Sequence, residues 1–108
     1  MKVRFSEVSG PTAGTAGLTT TVGCGQNDGK LVSGGAAISG GSVTTTDFTG
    51  PGSVGDHLGG SYPGDSGGTP VGDGTTTAAY WTAYTHTGAP SSPNTSSDVW
   101  ALCANDGV

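Results

Sequence analysis

The segment Gly64-Asp65-Ser66-Gly67-Gly68 sets a serine hydroxyl between an acid and a pair of glycines. These are the residue types an acyl-transfer site needs: a hydroxyl to attack a carbonyl, and glycines whose backbone N–H groups can approach a developing oxyanion. A serine of this kind works only with a histidine base oriented by an acid. The nearest candidates are His57, nine residues upstream, and Asp56 or Asp47. All of them fall in one Gly-rich stretch, whereas catalytic groups need the support of packed elements. The competing reading is a tight turn built from Pro63-Gly64-Asp65 and Gly67-Gly68.

The pentapeptide is identical to the nucleophile motif of trypsin-like serine proteases. The double barrel of that family needs two six-stranded halves, with its histidine and acid far upstream on the other half, and 108 residues leave no room for it. We therefore expect no catalytic residues and no enzymatic activity.

Metal chemistry is equally thin. Asp28-Gly29, Asp73-Gly74 and Asp106-Gly107 could offer oxygen ligands to calcium, but they lack EF-hand or nonapeptide spacing and read as turns. His57 and His86, with two cysteines far apart, make no zinc pattern. No metal and no cofactor are expected.

Four of the seven aromatic residues, Tyr80, Trp81, Tyr84 and Trp100, fall in the last two apolar segments. One tryptophan face is needed to fill the core. The remaining rings, with His57 and Tyr62, could stack on a sugar or on a protein partner, so His57, Tyr62, Tyr80 and Tyr84 are the candidates for surface recognition. Core packing is the alternative for each.

Positioning these groups falls to a chain in which Gly, Thr, Ser and Pro exceed half of all residues, and only sixteen are Leu, Ile, Val or Phe. Such a core needs outside help from a disulfide, a metal or an oligomer. Cys24 and Cys103 could supply it as a bridge across the sheet, with two buried thiols as the alternative. A bridge implies an oxidising environment. Three basic residues against eight acidic ones, a net charge of -5, leave no face for nucleic acid. There is no run long enough to span a membrane as a helix, and Met1-Lys2-Val3-Arg4-Phe5 lacks the apolar centre of a secretory signal.

Alternation predicts strands at residues 1–8, 19–24, 31–39, 42–48, 75–86 and 98–104, with almost no helix. In the first, Val3 and Phe5 oppose Lys2, Arg4 and Ser6, which suits a half-buried strand or an exchanged arm. Residues 49–74, with ten glycines and three prolines, read as one long loop and the first place to look for a binding surface. Tyr80, Thr82, Tyr84 and His86 share one face of their strand. The fold expected is all-β, a small sandwich or flattened barrel with Greek-key or jelly-roll-like connections. Residues 1–18 would be an N-terminal arm and linker, and 19–108 the β domain. In that reading Lys2, Val3, Arg4 and Phe5 bind an acidic neighbouring subunit.

Cys24, then Gly29-Lys30-Leu31-Val32-Ser33-Gly34-Gly35-Ala36-Ala37-Ile38-Ser39-Gly40, then Trp81 and finally Val99-Trp100-Ala101-Leu102-Cys103-Ala104, resemble a small β domain of actinobacterial surface proteins. That domain also follows collagen-like stalks and occurs in phages of high-GC hosts. Here the spacer after Cys24 differs, the third glycine is Ala36, and residues 49–74 are additional. The resemblance implies a disulfide-closed extracellular or virion-surface module without catalytic residues. The expected function is a non-enzymatic structural protein of a virion surface, a phage capsid decoration protein or a tail or fibre component. It would be a homo-oligomer among other protein subunits, without nucleic-acid or membrane partners. The alternative is a secreted carbohydrate-binding or cell-surface adhesion module.

Overall fold

A computed structural model describes residues 1–10, 17–39, 57–86 and 95–105. They form six strands: β1 Lys2–Ser9, β2 Leu18–Gly23, β3 Leu31–Ser39, β4 His57–Gly64, β5 Tyr80–His86 and β6 Ser96–Cys103. Two three-stranded antiparallel sheets result, ordered β1-β6-β3 and β2-β5-β4, and they pack as a small all-β sandwich. The two central strands, β5 and β6, are those richest in aromatic and apolar residues. The flanking strands carry the glycine, serine, threonine and charge that suit sheet edges. Among the described strands only β4 and β5 follow one another within a sheet; each other step from one described strand to the next changes sheets.

The core is thin because its side chains are small. Among the described residues Ala83, Val99, Ala101 and Cys103 are the fully buried apolar ones, and Thr85 and Ser97 join them between the sheets. Buried hydroxyls need partners, and the sheets provide them to one another. The Thr85 and Ser97 hydroxyls lie 2.7 Å apart across the interior, and Ser97 Oγ also donates to the Gly10 carbonyl at 3.0 Å. Trp81 fills the remaining space by lying against Gly34 of the opposite sheet, where a Cβ would meet the indole ring. Its Nε1 donates to Ser61 Oγ at 3.0 Å. Cys24, just past β2, is bonded to Cys103 at the end of β6 with Cα atoms 5.8 Å apart, so the disulfide joins the two sheets.

Three expectations are corrected. Residues 57–64 do not belong to a structureless 49–74 loop; they form β4, paired with β5 from His57↔His86 to Gly64↔Tyr80 with a bulge between Leu58 and Gly60. Pro63 is tolerated because β4 is an edge strand. Residues 75–79 are not strand, and β5 begins at Tyr80. The N-terminal segment is not an arm outside the domain. It pairs with β6 of its own chain over its whole length, from Lys2↔Cys103 to Ser9↔Ser96. The strand expected at 42–48 lies outside the described residues.

Candidate functional site

Residues directly opposite in an antiparallel pair share a face. Tyr80, Thr82, Tyr84 and His86 therefore look outward from β5, beside Gly64, Tyr62, Gly60 and His57 of β4 and Gly23, Thr21 and Thr19 of β2. All four residues expected to serve recognition, His57, Tyr62, Tyr80 and Tyr84, lie on this face. His57 and His86 stack with ring centroids 5.2 Å apart and planes within 10°. Tyr84 tilts against His86 at 4.7 Å. Glycines make room for the rings: a Cβ on Gly17 would sit 2.8 Å from the Tyr84 ring, and one on Gly60 3.0 Å from the Tyr62 ring. Tyr80 stands apart, beyond the turn that follows β4.

That turn is Gly64-Asp65-Ser66-Gly67-Gly68. The Asp65 carboxylate accepts from the N–H groups of Gly67 (2.9 Å) and Thr69 (3.0 Å), and the Gly68 N–H donates to the Asp65 carbonyl at 3.0 Å. Gly68 has φ of 86° and lies against Thr19, Thr21 and Thr82, where a Cβ would collide with Thr19. Tyr62 Oη donates to the Gly68 carbonyl at 2.8 Å, tying the turn down on the sheet. Ser66 is left exposed at its tip. His57 lies at the end of β4 opposite to the turn, and it stacks on His86. The geometry thus gives Ser66 neither histidine as a base, and commits Asp65 to the backbone of its own turn.

Val3, Phe5 and Glu7 of β1 share the outer face of the other sheet with Leu102, Trp100 and Asp98 of β6, and with Ser33, Gly35 and Ala37 of β3. Phe5 and Trp100 touch with centroids 4.9 Å apart. Val3 is 56% and Phe5 42% exposed, and nothing lies within 4 Å of where a Gly35 Cβ would be. The expectation that Lys2, Val3, Arg4 and Phe5 act together on a neighbour is corrected in part. Lys2 and Arg4 belong to the inward side of β1. There Arg4 Nε and Nη2 donate to the two Asp28 oxygens at 2.8 Å each, and Lys2 Nζ lies 2.9 Å from Asp28 Oδ1. The basic residues thus meet an acid of their own chain, while Val3 and Phe5 remain at the surface.

Elsewhere, a cavity of about 400 Å³ opens between residues 29–31 and 76–79. Among the described residues that line it, Lys30 is the charged one. No cluster of three or more His, Cys, Asp or Glu suited to a metal occurs among the described residues. No family model, no curated protein and no solved structure matches this chain.

Proposed function

We propose that the chain is a non-enzymatic structural subunit that docks on protein neighbours of a larger assembly through the outer face of the β1-β6-β3 sheet. The observation that carries this reading is the uncharged apolar stripe Val3, Phe5, Trp100 and Leu102 on a molecule of net charge -5. An exposed apolar sheet face of this kind is a site of association. Its lack of charge suits contact with another copy or with an acidic partner, where charged faces would repel. The assembly we infer is a virion surface, with the chain as a capsid decoration protein or a tail or fibre component. The resemblance to surface domains of phages and actinobacteria supports this, as does the Cys24–Cys103 bridge, which fits an oxidising location. Purified particles of the encoding phage should contain the chain in stoichiometric copies. Its absence from such particles would refute the assignment.

The grouping of His57, Tyr62, Tyr84 and His86 on the opposite face favours a second reading, a carbohydrate-binding or adhesion module. Aromatic and imidazole rings gathered on one sheet present apolar faces with polar edges, the chemistry that sugar rings pack against. Specific retention of the isolated protein on a glycan array, lost with Tyr84→Ala, would support it over the first.

A further inference from the structure

Glu7 and Asp98 are directly opposite on β1 and β6, and β3 brings Ser39 alongside. Asp98 is 0% and Ser39 1% exposed. Both Asp98 carboxylate oxygens, Glu7 Oε2 and Ser39 Oγ are buried without a hydrogen-bond partner. Buried carboxylates so placed are costly unless a positive charge or a proton answers them. The chain has three basic side chains. Lys2 and Arg4 are engaged by Asp28 toward the other end of β1. Lys30 precedes Leu31, which pairs with Cys103 at the far end of β6. His57 and His86 are on the outer face of the opposite sheet. No cation of the protein reaches the pair.

We propose that Glu7, Asp98 and Ser39 form a binding site for a calcium ion. The donors are all hard oxygens, two carboxylates and a hydroxyl, which suit calcium rather than a softer transition metal. Ser39 is the independent observation beside the acid pair: its buried hydroxyl has no hydrogen-bond partner and lies next to the Asp98 carboxyl. Glu7 is half-exposed on an edge strand and gives the ion its way in. Two carboxylates are few for a calcium site, so the affinity belongs to the weak range of extracellular modules, about 10⁻⁴–10⁻³ M. Such a site ties three strands of one sheet together by an ion in place of apolar contacts.

The test is the melting temperature of the intact chain at about pH 8, in EDTA and in millimolar calcium chloride. Calcium should raise it by several degrees, and the increment should vanish in Asp98→Asn and Glu7→Gln. Asp98→Asn should fold at least as well as wild type in EDTA, because it removes a buried charge, so loss of the increment cannot be attributed to misfolding. Two results would overturn the proposal. One is a melting temperature that calcium leaves unchanged but that rises on acidification from about pH 8 to 6, meaning that a proton alone neutralises the pair. The other is an increment that survives in both variants, meaning that calcium binds elsewhere.

Discussion

Asp28 sits in the turn between β2 and β3, 1% exposed, and accepts from Arg4, from Lys2 and, at 2.7 Å, from the Gly25 N–H. Hydrogen bonds from Arg4 first, then Lys2 and the Gly25 amide, hold its carboxyl well below the usual carboxylate range. A depressed folded-state value means stability that is present above the unfolded value of about 3.9 and is lost as pH falls further. Asp28→Asn should therefore lower the melting temperature at neutral pH and make the residual stability less sensitive to acid, as thermal melts across the acid range would show. Asp98 behaves in the opposite sense. Burial first, then its contact with Glu7, pushes it up to about 7. A raised carboxyl binds more protons folded than unfolded, so in calcium-free buffer stability should fall as pH rises from about 4 to about 7. Asp98→Asn should flatten that decline. A wild-type melting temperature that climbs steadily over the same interval would contradict this assignment.

Among the elements, β3 is legible in the sequence at both ends and β2 to within a residue, because β-branched and small residues there are bounded by Asn-Asp-Gly and Gly punctuation. The outward row Tyr80, Thr82, Tyr84 and His86 follows from simple alternation. By contrast, β4 could not be read. His-Leu-Gly-Gly-Ser-Tyr-Pro-Gly has the composition of a loop, and only pairing with β5 makes it a strand and carries His57 and Tyr62 to Tyr84 and His86. The inward turn of Lys2 and Arg4 was hidden for a similar reason, since Asp28 lies 24 residues from Arg4 and the fold brings them together. Two interactions between the sheets can be tested directly. Gly34 leaves room for Trp81, and a Cβ there would also stand 2.6 Å from the Trp100 carbonyl. Gly34→Ala should cost about 1–3 kcal/mol by overpacking, measured by chemical denaturation. Reduction of Cys24–Cys103, whose loop spans 79 residues, should cost on the order of 4 kcal/mol in the chain-entropy model. That corresponds to a melting temperature lower by more than about 10 °C. A change of only a degree or two would mean that the sheets need no covalent staple.

At the scale of the whole molecule, a sandwich with four fully buried apolar side chains among its described residues and an exposed apolar stripe on one sheet leaves association as its main source of further stabilisation. The N-terminal strand contributes to such association through its outward residues, Val3 and Phe5, while its inward residues hold the strand to its own domain. Removing residues 1–9 would bare an edge of β6 and leave the buried Asp28 carboxylate without Lys2 and Arg4, so truncation is the wrong probe of docking. A change confined to the outer face is the right one. Phe5→Lys puts a charge into the stripe beside Trp100 without touching the Asp28 ion pairs or the interior. The most direct measurement is rebinding of purified protein to virions stripped of it, with wild type and Phe5→Lys compared at equal concentration and both confirmed as folded. The proposed function predicts stoichiometric rebinding of wild type and an occupancy at least tenfold lower for the variant, on the order of 1.4 kcal/mol or more. Equal occupancy of the two proteins, or no binding by either, would contradict it.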